Sequence, residues 1–152
     1  MTPQETAHRI IAANKYLTLA TADRDGNPWA SPVFYTPDGD DFYWVSRPDS
    51  THSRNLAERP EAAIVIYDSQ VPLFTAEAVY LTAYAEQVGA ADLSRCAQLY
   101  SSRLPEQTVF EPEQLQEPAP LRLYRAHAVD ASVLLNDGGP DLRVPISLRA
   151  GL

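Results

Sequence analysis

The stretch YLTLATADRDGNPWASPVFYTPDGDDFYWVS, residues 16–46, carries the clearest structural signal in the sequence. It contains three segments rich in β-branched, aromatic and small residues, which are 16–22, 28–36 and 42–46. Turn sequences with an Asp-Gly pair separate these segments, as is typical of strands joined by tight hairpins. Pro32 has no backbone N–H, so the second segment is expected at a sheet edge or at a bulge. The stretch therefore predicts an antiparallel meander of three strands.

Further strands and helices follow the same pattern along the rest of the chain. The capping-box spacing of Thr2 and Glu5 predicts a helix within residues 1–14. The other predicted elements are a helix at 51–58, strands at 62–68 and 78–88, a helix at 90–104, a loop at 105–120 with at most one helical turn, and one or two strands within 121–135. Residues 1–152 are thus expected to form a single, mainly β domain. Six or seven antiparallel strands with short flanking helices favour a small closed barrel, because closure removes exposed sheet edges.

Composition limits the classes of partner. The formal net charge is -8, and the isoelectric point near 4.7 argues against nucleic acid and against anionic membranes as partners. No apolar stretch has the length of a signal peptide or a membrane span. A single cysteine, Cys96, permits no internal disulfide, which favours a reducing compartment such as the cytoplasm. Lys15 is the only lysine, which makes Schiff-base chemistry an unattractive hypothesis.

No catalytic motif stands out. The sequence has no nucleophile elbow, no P-loop and no zinc-protease helix. His8, His52 and His127 are far apart and lack the spacing of metal ligands. Cys96 lies on the apolar face of a predicted helix and is expected in the core. We therefore predict neither a catalytic side chain nor a metal site.

Four aromatic residues of the second and third predicted strands are candidates for an exposed surface. Trp29, Tyr35, Tyr43 and Trp44 occupy strands in which alternate residues face opposite sides. Half of them are therefore expected to face away from the barrel core. Such a surface fits a dimer contact or a platform for a flat ligand, and the pattern does not distinguish the two.

The segment SRPDSTHSRNLAERP, residues 46–60, gathers positive charge in an acidic protein. The start of the predicted helix offers free backbone N–H groups and a partial positive charge, which suit an anion. Serine and threonine hydroxyls, His52 and Arg54 add further donors. The alternative is an ordinary solvated helix in which Ser50 is the cap and Arg54 pairs with Glu58. Spacing alone leaves both interpretations open.

The ordered set of motifs resembles the pyridoxamine 5'-phosphate oxidase-like family of flavin-binding split barrels. The motifs that carry the resemblance are LATADRDGNPWASPV at 19–33, STHSRNLAERP at 50–60 and the closing RLYRAHAVDASVL at 122–134. The resemblance covers residues 15–90 well. It implies a split barrel and a homodimer, with two FMN sites in clefts between the subunits.

Carried over to this sequence, the resemblance also implies a set of cofactor-binding residues. The backbone of Ala30, Ser31, Pro32 and Val33 would contact the polar edge of the flavin ring, and Val45 and Ser46 would line the ribityl chain. Thr51 and His52 would meet the phosphate, with Arg54 or Arg47 as added positive charge. These assignments follow from the family and not from the spacing itself.

Departures from the family pattern narrow the expected activity. Thr51 and His52 stand where the family has a phosphate-binding arginine and lysine. The sequence also lacks the C-terminal segment with which the family's oxidase proper reads its substrate, and Tyr100 and Arg103 are one residue too close for its Tyr–Arg pair. The resemblance therefore implies a flavin-dependent oxidoreductase that takes electrons from a reduced nicotinamide and does not oxidise pyridoxamine phosphate. A deazaflavin in place of FMN, or a flavin- or haem-binding carrier or sensor without turnover, is the alternative.

Overall fold

The computed structural model describes residues 1–136 and 138–149. Within them the chain forms three α-helices, which are α1 (Pro3–Ala13), α2 (Thr51–Glu58) and α3 (Ala90–Ser101). The strands are β1 (Tyr16–Ala22), β2 (Pro28–Phe34), β3 (Thr36–Asp38), β4 (Asp41–Ser46), β5 (Glu61–Tyr67), β6 (Ala78–Gln87), β7 (Arg122–Leu135) and β8 (Leu142–Pro145). No helix in this part of the chain is long and apolar enough to cross a membrane.

All strands belong to one curled antiparallel sheet. Its order is β2-β1-β5-β6-β7-β4-β3, and β8 adds to β7. The sheet has eight strands rather than the six or seven expected, because a short strand precedes β4 and another lies in the C-terminal tail. The mainly β split-barrel architecture with short helices is confirmed.

The predicted three-stranded meander is wrong. β1 pairs with β2, but β3 and β4 form a separate hairpin at the opposite end of the sheet. Tyr35 is the single residue between β2 and β3; its backbone N–H donates to the carbonyl of Lys15, and its side chain is fully buried. β2 is a terminal strand of the sheet, so the edge position expected from Pro32 is confirmed. The ladder does not close into a full barrel.

Two hydrophobic clusters stabilise the sheet. The larger lies inside the curl and contains α1, the inner faces of β1, β5, β6 and β7, and Trp44; the smaller lies outside, where α3 covers Tyr43. Tyr35, Tyr43 and Trp44 are at most 1% exposed, and only Trp29 is substantially exposed. The expectation that half of these four aromatic residues form an outer surface is wrong. Opposite faces of β4 both pack against protein, because α3 covers the outer one.

The segment at 105–120 is more ordered than expected. It contains two short 3₁₀ turns, Pro105–Gln107 and Pro112–Leu115, where at most one turn was predicted. Leu115 is buried in the cluster beneath α3. This anchor fixes the proline-rich connection to the outside of the sheet.

Arg103 links the end of α1 to Tyr35, the residue between β2 and β3. Its guanidinium donates to the carbonyl oxygens of Tyr35 at 2.6 Å, Ala12 at 3.1 Å and Ile11 at 3.3 Å, and also to that of Asn14. The same group lies 4.7 Å from the centre of the Tyr35 ring. The carbonyls in the last turn of a helix receive no hydrogen bond from within the helix. Arg103 supplies N–H donors to these carbonyls.

We predict that Arg103→Met lowers the free energy of unfolding by about 2 kcal/mol. The variant keeps the apolar stem but leaves several carbonyls without their charged donor. Arg95→Met in α3 is the matched control, because the Arg95 side chain is 63% exposed and forms only an ion pair within its own helix. Urea denaturation of the two variants measures the difference, and equal values would show that the cap contributes no stability.

Candidate functional site

A gap in the sheet places most of the predicted cofactor residues in one region. β2 has a neighbour on one side only, and β3 covers only residues 41–43 of β4. The uncovered end of β4 approaches β2 without a hydrogen-bonded ladder. We call the gap between β2 and residues 44–46 the split. A terminal strand leaves every second backbone N–H and C=O unpaired, so β2 presents polar backbone groups to the split.

The side chains of residues 30–33 point to the two faces of the sheet. Ala30 and Pro32 lie opposite Ala20 and Thr18 in the register and are exposed on the outer face. Val33 points into the core. Only backbone groups and small side chains are therefore available to a ligand along β2.

The N-terminus of α2 lies directly after the split. Ser50 caps the helix and its Oγ accepts from the N–H of Ser53 at 3.3 Å. The N–H groups of Thr51 and His52 have no acceptor among residues 1–136 and 138–149. The first turn contains no acidic residue. Unpaired donors and the positive end of the helix dipole therefore meet at this point.

A compact hydroxyl–imidazole network joins β4 to α2. The Nε2 atom of His52 lies 2.9 Å from the Oγ of Ser46 and 3.3 Å from the Oγ of Ser50. Ser50 Oγ is also 2.9 Å from the Arg47 carbonyl oxygen and 2.7 Å from Ser53 Oγ. Of the sequence-predicted residues, Ser46 and His52 are thus brought into direct contact.

Burial controls the ionisation of His52. Its side chain is 8% exposed, and desolvation lowers the pKa of its imidazole below the ordinary value. The free protein therefore holds a neutral imidazole here at pH 7.

Part of the positive charge at 46–60 is already paired in the free protein. Arg47 forms an ion pair with Asp49 at 3.1 Å, and Glu58 pairs with Arg24 rather than with Arg54. Arg54 is exposed and forms no ion pair within the described part of the chain. The proposed i,i+4 pair of the solvated-helix interpretation is absent from these ranges, and the capping role of Ser50 is present.

Sequence reasoning missed the contact that holds α2 on the sheet. Asn55 is buried and its amide nitrogen donates to the hydroxyl of Thr21 in β1 at 3.1 Å. A polar residue in an eight-residue helix gives no signal that it faces inward. α2 differs from an ordinary surface helix in its polar inner face, where His52, Ser53 and Asn55 are buried.

The remaining reactive side chains lie elsewhere. Cys96 is fully buried beneath the Tyr43 hydroxyl at 3.8 Å, as expected for a core residue. His127 pairs with Asp41 at 2.7 Å on the outer face of the sheet, and His8 lies near the carbonyl of Leu148. Among the described residues there is no cluster of three potential metal ligands.

Comparison with known proteins places this geometry in a family. The family model described as pyridoxamine 5'-phosphate oxidase matches residues 3–134. The chain belongs to the pyridoxamine 5'-phosphate oxidase family. A search of curated proteins finds no significant match.

Solved structures share the fold at low sequence identity. A haem-binding protein from Mycobacterium smegmatis aligns with a TM-score of 0.76 and 22% identity, over 99% of this chain and 60% of its own. This chain is therefore similar to only part of that protein. The haem storage protein HutZ from Vibrio cholerae aligns with a TM-score of 0.70 and 20% identity, over 89% of this chain and 95% of its own.

An FMN-binding member of the family is also similar. This pyridoxamine 5'-phosphate oxidase-related protein from Nostoc punctiforme aligns with a TM-score of 0.62 and 18% identity, over 90% of this chain and 84% of its own. Structures of this fold are thus described with more than one cofactor.

The depressed pKa of His52 predicts a specific pH dependence of stability. Between about pH 6.5 and the lower pKa of the folded state, the unfolded chain binds a proton that the folded chain does not. The free energy of unfolding therefore falls as the pH falls through this window. We expect His52→Gln to remove that contribution, so the variant loses less stability than the wild type between pH 7 and pH 5. Urea denaturation at both pH values tests this, and identical losses would contradict a buried neutral His52.

Proposed function

We propose that the protein is an FMN-dependent oxidoreductase whose cofactor lies along the split, with its phosphate at the start of α2. The observation that carries the proposal is the convergence of unpaired donors at this point, in a chain of this family. The donor set suits a phosphate, since it combines free N–H groups, hydroxyls and a helix N-terminus. No acidic side chain of the first turn opposes the anion.

Each predicted residue then has a distinct task. Backbone groups of Ala30, Ser31, Pro32 and Val33 orient the ring, and Val45 borders the ribityl chain, with Ser46 at the end of that chain that carries the phosphate. Thr51 donates to the phosphate, and Arg54 adds positive charge from the exposed side of the helix. Bound FMN supplies the hydride or electron transfer, for which a reduced nicotinamide is the proposed donor. The protein itself contributes position and exclusion of water, which fits the lack of an acid–base pair near the split.

Pyridoxamine phosphate oxidation is not part of the proposal. Arg103, the candidate for a substrate-binding arginine, donates to backbone carbonyls near α1 and is committed to the fold. Tyr100 is 4% exposed, and burial raises the pKa of its hydroxyl to about 12. Neither side chain is available to a substrate, so the acceptor is a different small molecule.

Haem is the second candidate cofactor. Two structurally similar proteins are described as haem proteins, and Thr51 and His52 replace the basic residues expected for a flavin phosphate. The absorbance spectrum after reconstitution separates the candidates, because a flavin and a haem absorb differently. A stable haem complex with no affinity for FMN would replace the first proposal by the second.

Thr51 tests the phosphate position. We expect Thr51→Val to weaken FMN binding about tenfold, because one hydrogen bond to a charged group is lost. Thr51→Ser should restore the affinity, and Arg59→Ala should not change it, since Arg59 lies at the far end of α2 and contacts the Arg24 carbonyl. Fluorescence titration with FMN and with riboflavin measures the effect. Equal losses for both ligands would place the defect in the fold or at the ring.

We also propose a homodimer, on a different surface from the one suggested by the sequence. Tyr16, Tyr67, Tyr80 and Tyr84 are exposed on the outer face of β1, β5 and β6. Two adjoining grooves of about 280 and 460 Å³ cross this face and share a floor of Ala20, Ala63 and Thr82. A second copy covering this floor would also lie beside Ala30 and Pro32, and so beside the proposed ring site.

Ala63 offers a direct test of this interface. Its side chain is exposed in the single chain, so Ala63→Glu should fold normally but place a charge in the buried centre of the dimer. We expect the wild type at twice 16.8 kDa and the variant at 16.8 kDa in light scattering. Ala91→Glu in the exposed first turn of α3 is the control and should remain dimeric. A dimeric Ala63→Glu variant would exclude this face.

A further inference from the structure

The distances in the network between β4 and α2 limit where its protons can lie. Ser50 has one hydroxyl proton and two acceptors nearer than His52, which are the Arg47 carbonyl oxygen at 2.9 Å and Ser53 Oγ at 2.7 Å. The carbonyl can only accept, so it takes that proton unless Ser53 does. In either case Ser50 has no proton left for the imidazole at 3.3 Å.

The same distances distinguish the two tautomers of His52. An unprotonated Nε2 could accept from Ser46 at 2.9 Å, but it would face the lone pairs of Ser50 at 3.3 Å without a proton between the two atoms. A protonated Nε2 donates to Ser46 and towards Ser50, and so it suits both contacts. The ring is buried and neutral, so this arrangement places its one ring proton on Nε2 and none on Nδ1.

Ser46 is consequently left with a free donor. With Nε2 protonated, the Ser46 Oγ accepts from His52, and the Ser46 hydroxyl proton then has no acceptor within the described ranges of the chain. Ser46 ends β4 at the split, and its imidazole partner belongs to the first turn of α2. The hydroxyl proton therefore joins the unpaired N–H groups of Thr51 and His52 as a third donor in this region.

We infer that His52 is a positioning residue: its Nε2–H donates to Ser46, and the Ser46 hydroxyl thereby donates to an oxygen of the cofactor phosphate. This inference rests on the proposed function, because it assigns a role at the same site. It replaces the direct contact of His52 with the phosphate, which the family resemblance implies, with an indirect one through the hydroxyl of Ser46. A neutral relay of this kind keeps the imidazole in its buried place while the anion binds.

The tautomer of His52 can be measured in the free protein. In ¹⁵N NMR of the free protein at pH 7, His52 should show a protonated Nε2 and an unprotonated Nδ1. The opposite tautomer, or an imidazolium, would overturn the assignment. This measurement needs no cofactor, so it holds even if the proposed function fails.

Affinity measurements with FMN test whether His52 positions the Ser46 hydroxyl towards the phosphate. We expect Ser46→Ala and His52→Leu each to weaken FMN binding about tenfold, and the double variant to weaken it no further. His52→Gln should recover most of the affinity, because its side-chain amide can donate to Ser46 in place of Nε2. Circular dichroism and thermal unfolding identify any variant that has lost its fold.

Riboflavin distinguishes the phosphate from the rest of the ligand. The affinity for riboflavin should change little in all these variants. Additive losses for FMN, or an unchanged His52→Leu variant, would overturn the relay; an equal loss for riboflavin would move Ser46 to the ribityl chain. A wild-type protein without affinity for FMN would overturn the proposed function and the phosphate contact together, while the tautomer would still be decided.

Discussion

The anchoring of Tyr35 between β2 and β3 is the constraint on which the rest of the structure depends. Its N–H donates to Lys15, its hydroxyl donates to Ile11 at 2.7 Å, and its carbonyl accepts from Arg103. Every polar group of this buried residue is therefore paired, and burial raises the pKa of its hydroxyl to about 12. The strands on either side of Tyr35, β2 and β3, lie at opposite ends of the sheet order. The split exists because these two ends meet without a ladder.

The site at the split relies on neutral donors more than on charge. The protein has a net charge of -8, and most arginines near α2 are paired with acidic residues or with carbonyls. Free backbone N–H groups, hydroxyls and a neutral imidazole remain. A site of this type attracts an anion through a helix N-terminus with little help from cations. The proposed affinity for a phosphate therefore depends on geometry, and a small displacement of α2 would weaken it.

Local signals in the sequence predicted much of the fold, and the misses have physical reasons. Asp-Gly turns, the capping box at Thr2 and the helix at 51–58 are all determined by neighbouring residues, and they are confirmed. The wrong meander came from the assumption that sequential strands pair, whereas β2 and β4 approach each other without a hydrogen-bonded ladder. The prediction of an exposed aromatic surface is wrong because α3 covers the outer face of β4. This contact joins residues that are far apart in the sequence.

At the candidate site too, some features follow from neighbouring residues and others from contacts between residues far apart in the sequence. Ser50 as a cap and α2 as a source of free N–H groups follow from the sequence. The contact of His52 with Ser46, the buried Asn55 and the pairing of Arg24 with Glu58 depend on how α2 is placed on the sheet. Family resemblance identified the residues that surround the split, but the neutral state of His52 required its burial to be known. A cofactor role for these residues stays a prediction, as does a cytoplasmic location.

Amide chemical shifts during titration with FMN test the central claim most directly. In a ¹⁵N–¹H correlation spectrum, the account predicts that the N–H resonances of Thr51 and His52 move most, in the direction expected for new hydrogen bonds to an anion. Resonances of β2 should also shift, and inorganic phosphate alone should reproduce the change at α2. Shifts confined to the face around Tyr84 and His127, with Thr51 and His52 unaffected, would contradict the account.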